Sequence, residues 1–138
     1  MMNYKIADIE GIGASMTTKL KKANIKTVQG LLKAGATRKG RKEIAEASGI
    51  DEAVILKWVN MADLYRVKGI GKQYAELLEK AGVDTVKELR TRKAENLVAK
   101  IAETNADGKK RTVRLLPGLK RVEAWIEEAK KLEPMVTY

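Results

Sequence analysis

The sequence predicts an all-α fold made of two tandem units of short helices, and three observations carry that reading. Residues 9–33 align without gaps to 67–91 at an offset of 58, with nine identical positions (11/69, 12/70, 13/71, 20/78, 22/80, 23/81, 27/85, 28/86 and 31/89). The apolar residues recur at helical spacing, and no alternating β-branched run competes with it. Residues that stop helices or open turns fall at the ends of those stretches: Gly11-Ile12-Gly13, Asn24, Gly49, Gly69-Ile70-Gly71, Gly82 and Pro117-Gly118. The likeness resumes downstream, where 55–62 matches 122–129 and places Trp58 over Trp125 and Ala62 over Ala129. The repeat divides the chain into residues 1–66 and 67–138, with units rigidly joined or packed together, because no Gly/Pro/Ser linker separates them.

Each element follows in order. Gly-Ile-Gly opens a helix over 14–23 and its counterpart over 72–81, stopped at Asn24 and Gly82. Thr27 and Thr85 are suited to cap the next helix, where Val28, Leu31 and Leu32, then Val86 and Leu89, form the apolar face. A third helix covers about 38–48 in one unit and 92–104 in the other. Ser48-Gly49-Ile50-Asp51 is a turn, with Asp51 as N-cap of a long helix over about 51–66 whose stripe is Val54, Ile55, Trp58, Val59 and Ala62. Leu116-Pro117-Gly118-Leu119 takes that place in the second unit, before a helix over 119–132 striped by Leu119, Val122, Trp125, Ile126 and Ala129. About ten short helices are expected in all. The segment Asn105–Arg111 has no counterpart in the first unit and is expected to be the least structured.

Composition narrows the function. The 138 residues contain no His and no Cys, which excludes His- or thiolate-ligated zinc, iron–sulfur clusters, disulfides, and Ser-His-Asp or Cys-His machinery. No metal or other cofactor is expected. No apolar run approaches the ~18–20 residues of a membrane span, so no membrane partner and a cytoplasmic location are expected. Only 4% of the chain is aromatic, against a base-stacking surface. The 28 Lys and Arg against 18 Asp and Glu give a net charge of +10, which points to a polyanionic partner. That charge is not a tail: residues 1–66 hold 12 basic and 7 acidic residues, and 67–138 hold 16 and 11.

A Gly-Ile-Gly turn before a helix lets an anion approach the backbone, facing unpaired N–H groups and the positive end of the helix dipole. The segments 9–28 and 67–86 resemble the helix-hairpin-helix motif, hhGhGxxxAxxh. Residues 45–66 and 116–132 resemble the second hairpin of a paired unit, which makes the fold two tandem (helix-hairpin-helix)2 units. Taken whole, residues 4–132 resemble a bacterial family catalogued only as a domain of unknown function. The departures are Ser15 and Gln73, where DNA-binding members often carry Lys, and Thr17 in place of the small alanine that Ala75 supplies.

The resemblance implies a grip on double-stranded DNA through phosphates, without base reading. The residues it implies are Gly11, Ile12 and Gly13; Gly49 and Ile50; Gly69, Ile70 and Gly71; and Gly118 and Leu119. Charge then separates the units. Glu10, Asp51 and Glu52 flank the turns of the first, whereas Lys68, Lys72, Lys120 and Arg121 flank those of the second. The second unit is therefore expected to hold phosphate and the first to be mainly structural at its turns, or to engage a protein partner. Arg38, Lys39, Arg41 and Lys42 form a possible basic track. Trp58 and Trp125 are expected in the core, while Tyr74 stays open between core and surface. The enzyme reading is disfavoured, since two small helical units leave little material for a base-flipping pocket. The competing class is a protein-interaction scaffold.

Overall fold

The computed structural model describes residues 5–106 and 115–138. Within them lie a 3-10 turn at Ile6–Asp8 and eight α-helices: α1 Ala14–Lys22, α2 Val28–Gly35, α3 Arg38–Ser48, α4 Glu52–Leu64, α5 Lys72–Lys80, α6 Val86–Leu89, α7 Ala94–Ala106 and α8 Leu119–Lys131. The chain is all-α. Among the described residues the only β pairing is an isolated bridge between Lys5 and Thr27. Among the described residues there are nine helical elements, against about ten expected, with short turns joining α4 to α5 and α6 to α7. Asn105, expected in a loose insertion, is buried in the last turn of α7; residues 107–111 of that insertion lie outside the described residues.

Two compact units emerge: Met1–Asp63 with Met135–Tyr138, and Leu64–Pro134. The boundary thus falls within the last turn of α4, three residues before the one the repeat suggests, and the final four residues belong with the first unit.

In unit one, α3 packs on α1 and α2. The helix ends obey local chemistry. Thr27 Oγ1 accepts from the Gly30 amide at 2.9 Å to start α2, and Thr37 Oγ1 accepts from the Gly40 amide at 3.1 Å to start α3. Asn24 ends α1 with φ +64 and Gly49 ends α3 with φ +76. Leu20, Leu31, Leu32 and Ile55 are almost completely buried and form the centre of the unit.

Unit two repeats the plan. Here α7 packs on α5 and α8, and α6 on α8. Thr85 Oγ1 accepts from the Glu88 amide at 3.3 Å to start α6, and Gly82 with φ +92 follows α5. Ile70, Leu77, Leu78, Leu89 and Ile101 are the matching core. In both units the tryptophan of the last helix is buried, Trp58 at 3% and Trp125 at 2% exposure, as expected of the stripe. Two other members of those stripes are corrected. Val54 is 38% exposed and Leu119 41% exposed, because the first turns of α4 and α8 project beyond the core.

Candidate functional site

The two glycines of each Gly-Ile-Gly turn do different work. Gly11 has φ +95 and Gly69 φ +91, in the left-handed region that side chains disfavour. A Cβ on either would lie 3.2 Å from the indole Nε1 of Trp58 or Trp125 respectively. The first glycine therefore serves the turn and the tryptophan. Between the glycines, Ile12 and Ile70 are buried, at 4% and 0% exposure, and plug each turn into its core. The Ile amide closes the turn, donating to Ile9 O in one unit and Val67 O in the other, each at 3.1 Å.

The second glycine is free of such demands. Gly13 and Gly71 are the N-caps of α1 and α5, with ordinary φ of −92 and −105. A Cβ there would meet nothing within 4 Å, and neither helix start has a side-chain cap hydrogen bond. Gly118 is the same at the start of α8, with φ −75, open space and no side-chain cap. Three helix starts thus combine a side-chain-free N-cap with open space beside it.

The fourth start is closed. Asp51 Oδ1 accepts from the Ala53 amide at 2.8 Å, and Glu52 adds a second carboxylate in the first turn of α4. This also corrects the matching of the later turns. Each tryptophan lies seven residues after its N-cap, so Asp51 corresponds to Gly118, and buried Ile50 to buried Pro117. Gly49 and Ile50 are thus not the counterparts of Gly118 and Leu119, and exposed Leu119 is no plug.

In unit two the open starts of α5 and α8 are drawn together by Tyr74, the third residue of α5. Its ring lies 5.2 Å from that of Trp125. Its hydroxyl donates to Leu115 O and accepts from Arg121 Nη1, both at 3.1 Å, with the guanidinium carbon 5.8 Å from the ring centroid. Arg121 is the third residue of α8. Lys72, Lys120 and Arg121 are exposed on these first turns. Lys68 is exposed too, but its surroundings are mixed in charge. Its backbone amide donates to Glu128 Oε2 at 2.7 Å, and it lines an open cleft with Glu127, Glu128 and Lys131. Of the four cations expected around these turns, three sit on the two open helix starts and Lys68 does not.

Residues 10–132 match the family described as Domain of unknown function (DUF4332). The chain belongs to this family. No curated protein and no solved structure matches it.

Elsewhere on this DUF4332 chain, the basic track at α3 needs correction. Arg38, Lys39 and Lys42 are exposed, but Arg41 is buried at 4% exposure. It faces inward with Ile44, and its guanidinium donates to Gly35 O at 2.9 Å, Ala36 O at 3.2 Å and Thr137 O at 2.6 Å. Burial pushes its pKa below the ordinary value, against the opposing influence of Tyr138 and Glu52. Arg41 is a structural cation that ties off the carbonyls at the end of α2, so the track has three members.

Tyr74 is the residue that sequence reasoning left undecided. Copy one has Met16 at its place, and the partner position of Arg121 is Val54, so unit one has no equivalent bridge. The joint change from Met and Val to Tyr and Arg at two matched repeat positions was the available signal. Among the described residues, no three acidic side chains gather to hold a metal ion, and no helix is long and apolar enough to cross a membrane.

Proposed function

We propose that the chain is a non-enzymatic, cytoplasmic module of two tandem helix-hairpin-helix pairs, and that its second unit binds double-stranded DNA through phosphates without reading sequence. The observation that carries this is the pairing of two open helix starts in unit two. Gly71 and Gly118 are N-caps with no side chain to close the starts of α5 and α8, and Tyr74 links the first turns of those helices. Backbone amides at a helix start suit a phosphate oxygen, and exposed Lys72, Lys120 and Arg121 add the charge that supplies most non-specific affinity. Arg121 spends one of five N–H donors on Tyr74, leaving others for an anion. Gly11, Ile12 and Gly13 give unit one a single open start, at α1, which is a weaker station.

A second reading applies to unit one. Asp51 fills the amides of α4, Glu52 adds repulsion towards phosphate, and Val54 is exposed beside them. That surface suits a protein partner better than a polyanion.

The deciding experiment is duplex binding against salt, for the parent chain and for Lys72→Glu combined with Lys120→Glu. For the parent, log K should fall with log[salt] by roughly 0.9 for each phosphate contacted. The double variant should bind at least about tenfold more weakly, with a slope reduced by about two phosphate equivalents. Unchanged affinity in the variant would sink the assignment to unit two. Absence of binding by the parent at low salt would leave the scaffold reading in its place.

A further inference from the structure

The turn that leads into α8 carries three leucines that the fold does not bury. Leu115 is 73% exposed, Leu116 42% and Leu119 41%, and among the described residues of Leu64–Pro134 no other large apolar side chain is exposed. Pro117, in their midst, is buried. The matched turn of unit one shows that the fold does not call for leucine here. Counted back from the tryptophans, Ser48, Gly49 and Glu52 stand at the positions of Leu115, Leu116 and Leu119. Ser48 turns its hydroxyl inward, donating to Ile44 O at 2.6 Å, and Glu52 puts a charge in the first turn of α4. An exposed apolar cluster with no packing reason for it marks an interaction site.

The neighbours of the leucines say what they meet. Leu119 lies between Gly118, the N-cap of α8, and the exposed cations Lys120 and Arg121. The Leu115 carbonyl accepts from the Tyr74 hydroxyl at 3.1 Å, and that hydroxyl accepts from Arg121. The turn is thus tied to the same bridge that links the starts of α5 and α8. A lipid surface is gripped by a whole amphipathic helix face, whereas the exposed apolar side chains here are confined to one turn. A small apolar tip held among cations has the chemistry of a wedge, which enters between stacked base pairs while the charges hold the phosphates beside it.

We propose that Leu115, Leu116 and Leu119 form such a wedge, and that the preferred ligand of unit two is duplex DNA that unstacks easily. The inference rests on the duplex-binding reading of that unit. The wedge reads no base edge. Its preference is for deformable pyrimidine–purine steps over a stiff A-tract, because unstacking costs less there. Its contribution is apolar, so it adds affinity outside the salt-dependent part that Lys72, Lys120 and Arg121 supply.

The test uses two short duplexes, each carrying 2-aminopurine, whose fluorescence rises when stacking is lost. One has the probe beside a central TA step and the other has it in an A-tract. The parent is compared with a variant combining Leu115→Gln, Leu116→Gln and Leu119→Gln, and with the same three positions changed to Met. The methionine variant keeps the apolar tip and separates loss of the wedge from loss of folding. The parent should raise the TA-step fluorescence about twofold or more and bind that duplex several-fold more tightly than the A-tract. The glutamine variant should lose both effects and bind several-fold more weakly at an unchanged salt slope, while the methionine variant keeps them. Equal fluorescence with the parent and the glutamine variant, both bound at saturation, overturns the wedge and leaves the phosphate grip standing. No duplex binding by the parent at low salt overturns the grip and the wedge together. Sedimentation of the parent, but not the glutamine variant, with phosphatidylglycerol–phosphatidylcholine vesicles, at equal aminopurine signals, assigns the leucines to a membrane and likewise overturns the wedge.

Discussion

Gly69 and Gly71 are two residues apart and answer to different forces. At Gly69 any side chain meets both a left-handed backbone and the Trp125 indole 3.2 Å away. Gly69→Ala is therefore expected to lower stability by about 1–3 kcal/mol, read from the urea midpoint at constant slope. Gly71→Ala meets no neighbour and costs only the weaker capping preference of alanine, about 1 kcal/mol or less. If the second unit grips phosphate as proposed, its larger effect should be on duplex affinity, because a methyl group would stand at the open helix start. Tyr74→Phe is the third residue-scale case. It removes one exposed hydroxyl with two hydrogen bonds, so folding should change by under about 1 kcal/mol, while affinity should fall several-fold as Arg121 loses its tether. Equal affinity of Tyr74→Phe and parent in a filter-binding assay would refute that role.

At the scale of the element, α4 and α8 are matched helices with opposite beginnings. Asp51 closes the first; Gly118 leaves the second open. Asp51→Gly should convert α4 to the open type at a cost of a few tenths of a kcal/mol, since glycine is nearly as good an N-cap. Duplex affinity should rise, by about the effect of removing one negative charge from a helix start, and a fall would contradict the account of unit one. The helices themselves were legible in the sequence. Thr27, Thr85, Asn24, Gly82 and Asp51 do at their helix ends what their side chains and backbone preferences dictate. Arg41 was not legible, because its acceptors include Thr137, 96 residues away, and a run of four cations in sequence does not show which one turns inward. Leu119 misled for a related reason: an apolar residue in a first turn fits the stripe by spacing, yet it projects past the core that the stripe covers. The site was half visible. The glycines and flanking charges could be read from the repeat, but the Tyr74–Arg121 bridge joins helices 47 positions apart and is purely tertiary.

For the whole molecule, two compact units of near-identical plan imply two local stabilities. Trp58→Ala and Trp125→Ala each open a cavity beside a glycine turn, with an expected cost of about 3–5 kcal/mol. Hydrogen exchange should then show the loss of protection confined to α1–α4 in the first variant and to α5–α8 in the second. Uniform loss across the chain in both would mean that the units unfold as one.

The tryptophan–glycine contact also bears on how such a chain diverges. The fold of each unit rests on the indole, the left-handed glycine and the buried isoleucine, none of which includes the N-cap position. At Gly118 a Cβ in that position would meet no neighbour within 4 Å, so little in the packing constrains it. A single exchange between aspartate and glycine at matched sites 51 and 118 separates a helix that satisfies its own amides from one that offers them outward. One copy can thereby differ from the other in what its helix start offers while both keep the same turn.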